Sequence, residues 1–298
     1  MTQIYNLPKV QGKYRFNVDL SKTNWFRVGG KADIVFIPED MDDLVNFLTK
    51  KPDDLKINIL GVGSNIIIRD GGVEGVVIKL GNGFSKISHH DEILQVGASC
   101  LCYNVALYSR LNALTNLEFL AGIPGSIGGS IAMNAGCYNS EIGDFLISAI
   151  AVDKNGAIHQ LQNADFNFNY RHNPLKNDFF FLEGKFKVKK SSSEEVGKKI
   201  AEFNRKREET QPIRQKTSGS TFKNPKGDKK AWQLIDEAGC RGLKIGDAMM
   251  SEKHCNFMIN IGNSSSKDLI SLGEEVIKRV FEKSGIILEW EIKIIGRD

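Results

Sequence analysis

Apolar positions in this chain recur at two spacings, and the switches between them outline its elements. Asp40–Lys51 carries Leu44, Val45, Phe47 and Leu48 at helical spacing, with acids at its start, lysines at its end and Pro52 beyond. This predicts a helix whose charges match its dipole. Ile57–Leu60 is an apolar run that reads as a buried strand. The loop Gly-Val-Gly-Ser-Asn at Gly61–Asn65 follows it. Then come Ile66-Ile67-Ile68, a β-branched run closed by the turn signal Asp70-Gly71-Gly72, and a further strand at Val76–Leu80. The first section, residues 1–83, thus reads as a strand–helix–strand unit in which the glycine loop joins strand to strand.

A second section, 84–205, contains a predicted strand at Glu92–Val96 and a helix at Tyr103–Leu114. Ala149–Asp153, Asn155-Gly156 and Ala157–Leu161 predict a hairpin, because Asn-Gly between alternating apolar residues favours the tight turn. Phe179–Leu182 and Lys185–Val188 read as strands, and Phe166, Phe168 and Tyr170 form an aromatic alternation ending at Arg171. Ser192 with Glu195 predicts a capped helix carrying Val196, Ile200 and Phe203 and ending in a solvated charge run. In the third section, 206–298, Ala231–Ala238 and Ser266–Lys283 predict helices, and Asn256–Ile261 and Ile286–Ile295 predict strands.

Composition narrows the function classes. The 298 residues are 41% apolar and 26% charged, which suits two or three globular domains with a large core and no need of a disulfide or metal staple. A net charge of +4 is too small and too dispersed to argue for nucleic acid, though it suits an anionic small ligand. The chain shows neither a signal-like apolar start nor a membrane-length apolar run, so a cytoplasmic protein is expected. Cys100, Cys102, Cys137, Cys240 and Cys255 form no CxxC pair and read as buried free thiols. The five histidines form no HxxxH or HExxH, so no metal site is expected.

The glycine loop fails two phosphate-binding templates. The dinucleotide fingerprint needs a third glycine where Ile66 stands and a helix after it, and the triphosphate loop needs GK[ST]. If Gly61–Asn65 holds phosphate, it does so through backbone N–H groups and the Ser64 and Asn65 side chains; an ordinary turn remains the alternative. Gly122-Ile123-Pro124-Gly125-Ser126-Ile127-Gly128-Gly129 allows close backbone approach to a flat or anionic ligand, or marks a bend where domains pack. Ser220, in Gly219–Pro225, has no adjacent base and is no acyl-transfer nucleophile; under a held ligand it suits proton donation. Arg171 suits a carboxylate or phosphate anchor, or a surface ion pair. Glu289 and Glu291 share one face of the last predicted strand, opposite Trp290.

Taken in order, TNWFRVGGKAD (Thr23–Asp33), GVGSNIIIRDGG (Gly61–Gly72), GIPGSIGG (Gly122–Gly129) with MNAG (Met133–Gly136), Tyr170-Arg171, GSTFKNP (Gly219–Pro225), SEKHCNFMIN (Ser251–Asn260) and LEWEIKIIG (Leu288–Gly296) resemble the UDP-N-acetylenolpyruvoylglucosamine reductase family over nearly the whole chain. Specificity lies in the ordered set. The short polar connection between Asn224 and Trp232 resembles the shorter family type, which lacks an inserted substrate-capping loop. The resemblance implies an α+β fold: a two-lobed FAD-binding module of the vanillyl-alcohol-oxidase type (1–83 and 84–205) and a C-terminal α/β substrate-binding domain (206–298). It implies FAD and NADPH as cofactors, an enolpyruvyl sugar nucleotide as substrate, and a monomer acting on small molecules, with neither nucleic acid nor membrane as partner.

By that resemblance Gly61, Gly63, Ser64 and Asn65 line the FAD pyrophosphate. Gly122, Ile123, Pro124, Gly125, Ser126, Gly128 and Gly129 pack along the flavin. Arg171 and Glu291 hold and polarise the substrate carboxylate, which requires Glu291 to share a proton. Ser220 donates a proton to the product, and Tyr170 and Asn224 contact substrate. Lys223, Lys226 and Arg214 are candidates for the substrate diphosphate. A flavin oxidase on the same module often tethers flavin through His or Cys near the first glycine loop, and neither residue occurs in Gly61–Gly72. A non-catalytic binding protein would have no need of Arg171, Ser220 and Glu291 together.

Overall fold

A computed structural model describes residues 6–298. The chain forms two compact units, each assembled from separate stretches. The first comprises the chain up to Arg15, Ile34–Gly61 and Gly75–Lys206; the second comprises Phe16–Asp33, Val62–Glu74 and Arg207–Asp298. Among the described residues no helix is long and apolar enough to cross a membrane.

The first unit has two hydrophobic cores. One lies over a four-stranded sheet ordered Lys13–Asp19, Lys31–Ile37, Val73–Ile78, Ile57–Ile59. The helix Met41–Lys50 buries Leu44, Phe47 and Leu48 there, beside Ile34, Phe36 and Ile78. Asp40 caps this helix by accepting the Asp43 N–H at 2.9 Å, and Lys50 lies in its last turn. The second core packs the helices Cys102–Leu111 and Ile127–Met133 and the long helix Ser193–Thr210 with a five-stranded antiparallel sheet. That sheet contains the expected hairpin, Leu146–Asp153 with Ile158–Gln162. Asp153 accepts the Asn155 and Ala157 N–H groups, and Gly156 takes φ +90°, so the Asn-Gly turn closes as its chemistry demands.

Several sequence readings change. Phe179–Lys187 is a single strand rather than two. The alternation Phe166–Phe168–Tyr170 is not a strand. Asn167 has φ +43°, which breaks any extended run, and Phe166 stacks on Phe168 with ring centroids 4.7 Å apart. The predicted strand Ile286–Ile295 shortens to Lys293–Ile295. Ile66–Ile68 does not join the first sheet; it pairs in parallel with Lys293–Ile295 in the second unit. All three isoleucines are buried, and a strand buried on both faces, without alternation, suits parallel pairing. Four of the five cysteines are buried free thiols as expected, while Cys137 is half-buried. Burial pushes the Cys102 thiol up to about 12, which keeps it protonated and unreactive at neutral pH.

The second unit packs Leu269, Leu272, Val276 and Val280 of the helix Ser266–Ser284 against Ala231, Leu234 and Ile235 of the helix Ala231–Glu237, with Ile67, Phe222 and Met258 in the same core. Asp70 receives the Ser266 N–H at 3.0 Å and the Lys267 N–H at 3.3 Å, so the Arg-Asp-Gly-Gly turn caps the long helix. Gly30 and Gly72 are packing glycines. A Cβ on Gly30 would lie 2.2 Å from the Asp70 carbonyl, and one on Gly72 would lie 2.0 Å from the Lys31 carbonyl.

Two predictions follow from this unit. Gly273 lies under the Trp290 indole, and a methyl there would sit 2.0 Å from its Cη2. Trp290 is held against Phe222, with ring centroids 5.2 Å apart. Alanine gains about 1 kcal/mol of helix propensity but overpacks by about 1–3 kcal/mol, so Gly273→Ala loses up to about 2 kcal/mol. A thermal melt shows a lowered midpoint; an unchanged or raised midpoint contradicts this packing. His254 accepts the Asn256 N–H on Nδ1 at 3.3 Å. Burial, foremost, and then nearby Arg241 hold its imidazole below the ordinary 6.5, against an opposing backbone hydrogen bond. The unfolded chain therefore takes up this proton first as pH falls, and stability drops from the ordinary value down to the lowered one. In urea unfolding at pH 7.5 and 5.5, wild type loses more stability on acidification than His254→Gln; equal losses contradict the assignment.

Candidate active site

The loop Gly61–Asn65 joins the strands Ile57–Ile59 and Ile66–Ile68, and the chain passes from the first unit to the second between Gly61 and Val62. Its carbonyls are used: Gly63 O accepts the Trp25 N–H at 3.1 Å, and Asn65 O accepts the Lys293 N–H at 3.2 Å. Its N–H groups at Gly61, Val62, Gly63 and Ser64 make no hydrogen bond among the described residues. A run of successive free N–H groups is an anion-binding concavity. Gly63 has φ +67°, and a Cβ there would meet the Thr23 carbonyl at 2.5 Å; a Cβ on Gly61 would meet Ser126 Oγ at 2.9 Å. Gly63 is thus required by its backbone, whereas at Gly61 the neighbour is a side-chain hydroxyl that can turn away. These donors fit the diphosphate of a dinucleotide such as FAD.

The segment Gly122–Gly129 is a bend opening the short helix Ile127–Met133. Two of its glycines serve packing: Gly122 lies against Cys137 and Tyr138, and Gly128 against Ala98. The Ile127 and Gly128 N–H groups are taken by the Cys100 and Ala98 carbonyls, each at 2.9 Å. At Gly129 a Cβ would meet only Ser126 Oγ at 3.6 Å, which is ordinary contact. The side of this bend at Gly129 is therefore open.

Arg171 sits in a tight turn closed by hydrogen bonds between Asn169 and His172, with φ +53°. Its guanidinium donates to the Gly136 carbonyl and lies 5.1 Å from the Tyr170 ring centroid. The buried Asn134 donates to Glu141 and to the Asn169 carbonyl and accepts the Gly143 N–H. The Met-Asn-Ala-Gly segment therefore braces the Arg171 turn, a role that no local sequence signal announces.

In the second unit, Ser220 and Glu291 converge on one residue. Thr221, fully buried, donates its N–H to Asn256 O at 2.7 Å and accepts the Glu291 N–H on its carbonyl at 2.9 Å. Its hydroxyl accepts the Met258 N–H at 3.0 Å. Asn65 Nδ2 donates to Glu291 O at 3.0 Å, so the glycine loop reaches the same segment. Ser220 is half-buried, and beside it Gly219 takes φ +84° with open space around it. Asn224 Oδ1 accepts the Ala231 N–H at 3.0 Å and so anchors the next helix. Among the suggested diphosphate cations, Lys223 pairs with Glu289 at 3.3 Å and Arg214 with Glu208 at 2.9 Å, while Lys226 is exposed. Glu289 is exposed and Glu291 half-buried, which separates two carboxylates that the sequence left equivalent. Asn256, absent from the sequence reading as a site residue, also belongs to this cluster.

The chain is similar to known proteins. Residues 32–162 match the FAD binding domain family, and residues 211–295 match the C-terminal domain of UDP-N-acetylenolpyruvoylglucosamine reductase. The chain is 52% identical to the UDP-N-acetylenolpyruvoylglucosamine reductase of Rickettsia akari over 98% of both chains, and 51% identical to that of Rickettsia felis over the same shares. The crystal structure of the enzyme from Thermus caldophilus superposes with a TM-score of 0.82 at 32% identity, covering 97% of this chain and all of that one. With a mixed α+β fold and these matches over nearly its whole length, the chain belongs to the UDP-N-acetylenolpyruvoylglucosamine reductase family.

Proposed function

We propose that this chain reduces the enolpyruvyl group of UDP-N-acetylglucosamine enolpyruvate to UDP-N-acetylmuramate for peptidoglycan precursor synthesis, with NADPH and FAD as cofactors. It acts in the cytoplasm as a monomer on small molecules. The observation that supports this most directly is the convergence on Thr221 of the segments bearing Ser220 and Glu291.

Gly61, Gly63, Ser64 and Asn65 would hold the FAD diphosphate, and Gly122–Gly129 would line the flavin. Bound there, FAD would supply the hydride chemistry between NADPH and the terminal vinyl carbon of the substrate. Negative charge then develops on the adjacent carbon and its carboxylate. Arg171, a fixed cation, and Glu291, as its neutral acid, hold that carboxylate and stabilise the enolate-like charge. The Ser220 hydroxyl delivers the proton to the adjacent carbon, and the face from which it does so sets the configuration of the product. Tyr170 and Asn224 contact substrate. In this scheme 1–83 and 84–205 serve as the FAD-binding lobes, and 206–298 as the substrate-binding domain.

The test separates the two half-reactions by stopped flow. In Ser220→Ala, bleaching of the bound flavin by NADPH keeps its wild-type rate, while return of colour on adding the enolpyruvyl sugar nucleotide slows about 10²-fold or more. Equal loss in both would assign Ser220 to binding or folding.

A further inference from the structure

The segment Lys216–Phe222 runs antiparallel to Asn256–Asn260, with bridges Lys216–Asn260 and Ser220–Phe257. Three side chains bond across them: Thr217 Oγ1 donates to the Met258 carbonyl, Thr221 Oγ1 accepts the Met258 N–H, and Asn256 reaches Phe222. Asn256 Oδ1 accepts the Phe222 N–H at 3.0 Å, and Asn256 Nδ2 donates to the Phe222 carbonyl at 2.9 Å. The Asn256 carbonyl accepts the Thr221 N–H at 2.7 Å. Asn256 is 4% exposed and Phe222 1% exposed, so these bonds are shielded from water. Asn256 thus holds three successive peptides after Ser220, the first through its main-chain carbonyl and the next two through its side-chain amide. The Ser220–Thr221 peptide sets the direction of the Ser220 side chain, and it is preceded by Gly219, whose backbone has open space and a positive φ. Freedom on one side of Ser220 meets restraint on the other, which Asn256 provides together with the bond between the Thr221 hydroxyl and the Met258 N–H. The Thr221 carbonyl, on the next peptide, holds the Glu291 N–H, so the same amide sets the register of Glu291.

We propose that Asn256 is a positioning residue that aims the Ser220 hydroxyl and keeps Glu291 in register with it. The proposal rests on the role of Ser220 given above. An amide suits the task because it supplies one donor and one acceptor to a backbone N–H and C=O, as a β-bridge partner would. Aspartate at this position keeps the shape and the acceptor but faces the Phe222 carbonyl with a carboxylate. When protonated, it regains the donor.

The experiment uses the FAD-loaded full chain. In Asn256→Ala and Asn256→Asp, bleaching by NADPH stays near the wild-type rate, and recolouring by the enolpyruvyl sugar nucleotide slows at least about 10-fold, as for a misaimed group. Hydrogen exchange of the Phe222 amide rises in Asn256→Ala, which removes its acceptor. Acid partly restores recolouring in Asn256→Asp relative to wild type, and the restoration is absent in Ser220→Ala/Asn256→Asp, where there is no hydroxyl to aim. Parallel loss of FAD, thermal stability and both half-reactions in both variants makes Asn256 purely structural and overturns the proposal. Slow recolouring in Ser220→Ala beside normal recolouring in the Asn256 variants overturns it alone. Normal recolouring in Ser220→Ala removes the role of Ser220 and the proposal with it.

Discussion

A strand-to-strand loop that presents successive backbone N–H groups is the constraint on which this molecule turns. Gly61–Ser64 shows these donors without a partner among the described residues, while Gly63 O and Asn65 O tie the loop to Trp25 and Lys293. Donors that no protein acceptor takes are left to water or to an anionic ligand. Holding it needs a glycine at 63, whose positive φ and close approach to Thr23 exclude any side chain. Placing it needs the strand Ile66–Ile68 to be anchored on Lys293–Ile295. The ends of the chain's third section are therefore tied to the loop of its first.

The same anchoring serves the chemistry. Lys293 donates to the Asn65 carbonyl, Asn65 donates to the Glu291 carbonyl, and Glu291 donates to the Thr221 carbonyl beside Ser220. The glycine loop, Glu291 and the residue after Ser220 thus share one chain of hydrogen bonds, main-chain at both ends and carried by the Asn65 side chain between them. The bond at Thr221 helps place Ser220 although it stands in a half-open segment beside a glycine.

Where local chemistry dictates structure, the sequence was readable. Asp40 caps its helix, Asn155-Gly156 closes its hairpin, and the Leu269–Val280 stripe faces a core. Long-range pairing was not readable: nothing near Ile66–Ile68 announces a parallel partner more than two hundred residues away, and an all-isoleucine run has no alternation to assign a face. The aromatic alternation before Arg171 misled because Asn167 turns left-handed, which the side-chain pattern does not encode. At the site, the glycine loop and Ser220 were visible as motifs. Asn256 and Asn134 were not, since a buried asparagine bracing a backbone looks in sequence like any polar residue. Gly29-Gly30 is a packing contact, and in Gly122–Gly129 the two glycines at 122 and 128 serve packing while the end at Gly129 is open.

The central claim is that the Gly61–Ser64 N–H groups bind the FAD diphosphate, and amide NMR of the apoprotein titrated with FAD tests it most directly. The account predicts that the Gly61, Val62, Gly63 and Ser64 amide protons shift downfield and become protected from exchange as FAD saturates. FAD binding that leaves these resonances unmoved would contradict it.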